Sequence, residues 1–189
     1  MTPLDFARAL LSRLNLPMSS NNLTSIVAFV GIEQGHWSNQ ARFNPLNTTL
    51  RMPGSTSATG VGVQRYTSWT QGVEANARTL AQTNMKGIVQ ALAQSADPQV
   101  FLRALSDSAW CSAKSTIAER GPNCTGDPKQ GPCYCNYTAF SAKALYASWA
   151  NRKDPVGGGA IVKSASGGIP ILLALGVLIA VIWYKWFRR

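Results

Sequence analysis

Ile26-Val27-Ala28-Phe29-Val30-Gly31-Ile32 runs directly into Glu33-Gln34-Gly35-His36-Trp37, and the reading of this junction decides the fold. Seven largely apolar positions with Ser20 and Asn21 upstream as caps predict a helix from about Asn22 to Gln34. Glu33 then falls at the helix's C-terminal end, between an apolar body and Trp37. Partial desolvation of a carboxyl group favours its protonated form. The plain alternative is a solvated Glu at a helix end.

Helical signals extend to either side of this stretch. Leu4, Phe6, Ala7, Leu10, Leu11 and Leu14 follow helical spacing, with Thr2 as cap and Pro3 in the first turn, so the N-terminus reads as an amphipathic helix and not as a secretory signal. Asn39 to Thr67 is rich in Asn, Thr, Ser, Pro and Gly and too long for an idle connection, which predicts a small irregular binding lobe with a hairpin around Val61 to Arg65. Helices are expected again over Ser68 to Thr83, where Glu74 and Arg78 can pair on a solvated face, over Lys86 to Ser95, and over Gln99 to Asp107 after Asp97 and Pro98. A last helix is expected from Thr138 to Trp149. The fold class is therefore mainly α.

The chain has 189 residues, room for one ordinary domain and an appendage. Residues 1–150 form the expected domain. From Asn151 to Gly168 the glycines at 157–159, 167 and 168, with Ser164 and Ser166, predict a flexible linker reaching ~25 Å as a Gly-rich coil. Ile169 to Tyr184 carries no charge, and Trp183, Tyr184 and Trp186 with Lys185, Arg188 and Arg189 supply the aromatic and basic end of a membrane span. Residues 169–189 are thus expected to be a single transmembrane anchor.

Eighteen Lys and Arg against eight Asp and Glu give a net charge of +10. Twelve of those cations against seven acids lie in residues 1–150, and six against one in the tail. Such a balance favours anionic partners: lipid headgroups, nucleic acid or a teichoic-acid-bearing wall. The single His36 leaves few arrangements for Ser-His-Asp catalysis or mixed His and Cys metal sites, and no cofactor is expected. The absence of a P-loop, a dinucleotide-binding glycine fingerprint and a basic helix with interleaved aromatics argues against nucleotide chemistry and sequence-specific nucleic-acid reading. Cys111, Cys124, Cys133 and Cys135 cluster within twenty-five residues, at spacings unlike zinc-ribbon pairs. Two disulfides are expected, Cys111 with Cys133 and Cys124 with Cys135 or the crossed alternative, because the two cysteines of a C-x-C are poorly placed to bond each other. Disulfides imply an oxidising setting, which a released virus particle provides.

Glu33 is the candidate catalytic acid, since a carboxyl group kept protonated near neutrality can give a proton to a glycosidic oxygen. Its context extends this reading. Glu33, then Phe43-Asn44-Pro45-Leu46-Asn47-Thr48-Thr49, Gly60-Val61-Gly62-Val63-Gln64-Arg65-Tyr66, Trp69 and Gly72-Val73-Glu74-Ala75, and finally Ala104 to Trp110, together resemble the lysozyme-like superfamily over about residues 22–146. The chain is most similar to its phage-borne lytic transglycosylase and goose-type lysozyme branch. Two departures are Gln34, where bacterial lytic transglycosylases usually have Ser after the acid, and Gly62-Val63-Gln64, one residue shorter than their glycine-to-glutamine motif.

The resemblance implies a lysozyme-like domain with Glu33 as acid and with Asn44, Asn47, Gln64 and Tyr66 as substrate-binding or supporting residues of a glycan-binding lobe. Trp37 is the aromatic residue best placed to stack on a sugar, whereas Trp69 and Trp110 read equally well as core. Glu74 is the only other acid between Asp5 and Asp97, and its spacing with Arg78 marks it for an ion pair. One acid without an evident partner favours the transglycosylase reaction over inverting hydrolysis. The expectation is a membrane-anchored peptidoglycan-cleaving enzyme of a bacteriophage particle with a lipid membrane, acting on the host envelope during genome delivery, in company with other virion proteins. The alternatives are a lysis muramidase used for release and a catalytically silent, membrane-anchored virion protein that binds glycan or supports the capsid.

Overall fold

Thr2 begins the first helix as the sequence predicts: its hydroxyl accepts from the Asp5 amide at 3.1 Å while the Asp5 carboxylate accepts from the Thr2 amide at 2.9 Å. Two otherwise orphaned amides are satisfied reciprocally. Pro3 fits the first turn because its missing N–H would have had no helical partner. The computed structural model describes residues 1–34, 40–111 and 139–153. Within them lie six helices: α1 (Pro3–Arg13), α2 (Ser20–Gln34), α3 (Trp69–Leu80), α4 (Lys86–Ala93), α5 (Pro98–Ser106) and α6 (Ala139–Trp149). Ser68 caps α3 and Asp97 caps α5, each side chain accepting from an amide of the first turn. The chain is mainly helical, as its periodicity predicts.

Helix α2 is the centre of the body. Ile26, Val27, Ala28, Phe29 and Val30 are all buried in succession, so this helix has no polar face through its middle and must be covered all round. Helices α1, α5 and α6 pack against it. Phe6, Leu10 and Leu11 of α1, Leu80 of α3, Ile88 and Leu92 of α4, and Phe101, Leu102 and Leu105 of α5 complete the core. Gly31 permits the closest approach of α6, since a Cβ there would sit 3.2 Å from the Trp149 ring. Asn22 pins the start of α2 by donating to the carbonyls of Pro17 and Leu92, both at 2.8 Å. The end of α6 returns to the beginning of the chain, where the Leu4 amide donates to the Ala150 carbonyl at 3.1 Å.

Between α2 and α3 the chain forms the expected irregular lobe. Its only regular pairing among the described residues is a two-residue antiparallel ladder of β1 (Thr56–Ser57) and β2 (Gln64–Arg65), with Thr56 opposite Arg65 and Ser57 opposite Gln64. The hairpin is therefore wider than the expected Val61 to Arg65, and Val61 lies in its connecting loop, 82% exposed. Gly72 seats the lobe on α3. A Cβ at that position would fall 1.8 Å from the Phe43 carbonyl oxygen, so only glycine lets the lobe's backbone rest on the helix.

The four cysteine side chains, the linker beyond Lys153 and the anchor at 169–189 lie outside what the structure describes. Among the described residues no helix is long and apolar enough to cross a membrane.

Candidate active site

Glu33 occupies the last turn of α2, four residues after Phe29, so both side chains lie on the same helical face. The carboxyl group is half-buried and is held from two sides. The Asn47 amide nitrogen donates to the Glu33 carbonyl at 3.0 Å and to its Oε2 at 3.2 Å. The indole N–H of Trp110 donates to Oε1 at 3.3 Å. Each carboxyl oxygen thus has its own neutral donor, one from the lobe and one from the helical body.

Both donors are set by the fold. Asn47 takes a left-handed backbone conformation, φ 56°, which Asn tolerates better than most residues, and the resulting turn aims its side chain back at the end of α2. Trp110 belongs to the 3-10 turn Ala109–Cys111 that follows α5. Its ring meets Phe29 edge-on at 5.2 Å with a 77° interplanar angle, a favourable quadrupolar arrangement that fixes where its N–H points. Phe29 in turn meets Phe101 of α5, ring centroids 6.1 Å apart. Trp110, which the sequence left between core and sugar platform, therefore combines a packing role with a bond to the candidate acid. Its presence in the Ala104 to Trp110 segment was the only signal that could have marked it.

The other lobe residues have internal duties. Asn44, 1% exposed, donates to the carbonyls of Thr48 and Gln64 at 2.8 Å and accepts from the Thr48 amide at 3.0 Å. Gln64, 4% exposed, accepts from the Ser55 hydroxyl at 2.9 Å and donates to the Gly62 carbonyl at 2.7 Å. Tyr66, 3% exposed, donates its hydroxyl to the Leu50 carbonyl at 2.7 Å, and burial pushes its phenol up to about 12, so it stays neutral in that bond. These three residues satisfy the lobe's buried polar groups and so support its backbone. A second layer ties the lobe to α3, where the Thr48 and Thr79 hydroxyls lie 2.5 Å apart and the Asn76 side chain donates to the Asn44 side-chain oxygen at 3.4 Å. Trp37, His36 and the side chain of Gln34 lie outside the described residues.

Glu74 pairs with Arg78 at 2.6 Å as its spacing predicts. A second partner, Arg13 of α1, bonds both of its oxygens. Arg13 first and Arg78 next hold the Glu74 carboxyl below the usual carboxylate range, and the pairing encloses a side chain that the sequence placed on a solvated face. Asp5 and Asp97 are helix caps, and Asp107 is exposed at the C-cap of α5. Among the described residues, then, no second carboxylate is bonded to the Glu33 carboxyl. No group of His, Cys, Asp and Glu among them could hold a metal ion.

The Trp110 bond to Glu33 has a direct signature. The Trp110 indole N–H resonance should shift in Glu33→Gln, where an amide replaces the carboxyl group it meets. An indole signal indifferent to the substitution would show that the two side chains do not meet.

Comparisons of the chain with family models, with curated proteins and with solved structures find no match, so the functional reading rests on Glu33, its two donors and the lobe beside it.

Proposed function

We propose that this chain is a membrane-anchored lytic transglycosylase of lysozyme-like fold that cleaves the MurNAc-GlcNAc bond of peptidoglycan, carried in a phage particle and used during genome delivery. The observation that carries the reading is the half-buried Glu33 carboxyl, oriented by Asn47 and Trp110 at the seam between a helical body and an irregular polar lobe. A carboxyl fixed in this way can serve as acid and base in turn. As acid, Glu33 protonates the bridging oxygen, the bond from C1 to that oxygen breaks, and positive charge develops on the sugar ring. As base, the resulting carboxylate takes the proton of the same sugar's C6 hydroxyl, and O6 closes on C1. The product is a 1,6-anhydro sugar, Glu33 regains its proton, and no water is consumed. Inverting hydrolysis needs a second carboxylate to activate water, and the described acids other than Glu33 are capped, paired or exposed. The anchor belongs to the same proposal and rests on the uncharged run Ile169 to Tyr184 behind the Gly-rich linker.

Product chemistry tests this reading. Purified walls digested with the full chain in mild detergent should yield muropeptides whose ends resist borohydride, as 1,6-anhydro ends do. Reducible ends would make the enzyme a muramidase. Intact walls after prolonged incubation would make it a glycan-binding virion protein.

A further inference from the structure

The positive charge of the described residues is not spread evenly. Residues 1–34 carry two side-chain cations and two acids, Arg8 and Arg13 with Asp5 and Glu33. Residues 68–111 carry three of each, Arg78, Lys86 and Arg103 with Glu74, Asp97 and Asp107. The lobe, residues 40–67, carries Arg42, Arg51 and Arg65 and no acid at all. The helical body through α5 is neutral in side-chain charge, whereas the lobe and residues 139–153, with Lys143, Arg152 and Lys153, each carry three cations and no acid; of these two, the lobe is the one that reaches the Glu33 carboxyl, through Asn47.

Two of the lobe's arginines are also held by neutral partners. Arg65 donates from Nε to the Gln40 carbonyl at 2.8 Å, with Nη2 3.4 Å from the Gln40 side-chain oxygen. The Arg42 guanidinium lies over the Phe43 ring at 4.5 Å. Neutral partners of this kind fix a guanidinium and leave its charge intact. Tyr66 links the three stations: it follows Arg65, its amide donates to the Arg42 carbonyl at 3.0 Å, and its hydroxyl reaches the carbonyl of Leu50, the neighbour of Arg51. Arg8, Arg13 and Arg78 of the helical body lie against carboxylates, while Arg152, like the lobe arginines, has neutral partners, the Trp149 ring and Ser148. Three like charges in one small lobe repel one another, and alternating signs would serve a purely structural lobe better.

We propose that the lobe reads anions on the glycan: Arg42, Arg51 and Arg65 bind carboxylate or phosphodiester groups carried by the wall polymer, so that the chain engages acid-bearing strands in preference to neutral ones such as chitin. The inference rests on the glycan-cleaving reading for its substrate, but its test does not require cleavage. Binding is measured with the full chain in mild detergent, in the Glu33→Gln background, which keeps the polymer intact. The probes are purified walls, walls stripped of phosphodiester polymers with hydrofluoric acid, walls whose peptide carboxylates have been amidated, and chitin.

The triple variant Arg42→Gln, Arg51→Gln, Arg65→Gln should lose affinity for walls by about 10-fold at physiological salt, since exposed ion pairs contribute modestly one by one, and should lose most of its salt dependence. Its binding to chitin should not change. The matching triple Lys variant should restore most of the wall affinity, which separates lost charge from a disturbed lobe. Weaker binding after hydrofluoric acid assigns the anion to phosphodiesters, and weaker binding after amidation assigns it to peptide carboxylates. Equal affinity of the starting protein for all four probes, or an unchanged affinity of the Gln variant for walls, would overturn the proposal. Binding through the arginines by a chain whose unsubstituted form cuts nothing would sink the enzyme reading and leave this one standing. Cleavage with no arginine dependence would do the reverse.

Discussion

Glu33→Gln should reduce wall cleavage by ~100-fold or more, because a positioned acid or base is usually worth at least that much and Glu33 is asked to be both. The substitution keeps the length and shape of the side chain. Its oxygen can accept from either Asn47 or Trp110, while its new N–H2 must face the other donor. One hydrogen bond is therefore lost, at a stability cost of about 1 kcal/mol, and the fold and the wall affinity should survive. The measurement is release of soluble muropeptides by wild type and variant, each checked for its thermal transition. A variant that retains more than about a tenth of the wild-type rate would remove Glu33 from the chemistry. Glu33→Asp offers a sharper control: it keeps the acid but withdraws it from both donors, so its activity should lie near that of the Gln variant if positioning matters as much as acidity.

Gly72→Ala should destabilise the domain by about 3 kcal/mol, a fall in Tm of roughly 6–12 °C for a domain of this size. The sign is the informative part. Glycine inside a helix normally gives up about 1 kcal/mol relative to alanine, so on an open helix face this replacement would raise Tm. Here the added methyl would stand 1.8 Å from the Phe43 carbonyl oxygen, and neither partner has a side-chain torsion that could relieve the contact. The lobe would have to lift from α3, taking with it the adjacent Asn44 and the Thr48 to Thr79 contact. Asn47 would move as well, so activity should fall although residue 72 touches no part of the Glu33 cluster. Thermal unfolding followed by circular dichroism, with activity recorded below the transition, decides the matter. An unchanged or raised Tm would show that the lobe does not rest on this helix.

What the sequence made legible was local. Thr2-Pro3 with Asp5, Ser68, and Asp97-Pro98 announce helix starts because a cap and its amide lie two or three residues apart. The apolar run before Glu33 likewise announces a helix, and the structure covers it on every side. Features made by folding were not legible. Trp110 is 77 residues from Glu33 and Arg13 is 61 from Glu74, and no periodicity links positions so far apart. The lobe shows the other limit. A polar residue in irregular sequence reads the same whether it faces a ligand or satisfies buried backbone, so Asn44, Gln64 and Tyr66 were expected to bind substrate or to support the lobe, and each is buried among backbone partners. Asn47 carried the same expectation, and its left-handed turn sends it to Glu33, a partner that its place in the sequence does not name.

The bond between the Leu4 amide and the Ala150 carbonyl has a mechanical meaning. It closes the domain like a clasp, bringing the outgoing chain back to the first turn of α1. A pull exerted on the chain beyond Lys153 would load this clasp first, together with Trp149 wedged at Gly31. Gly31 lies two residues before Glu33 on the same helix, so a load on that clasp would reach the backbone that carries the acid.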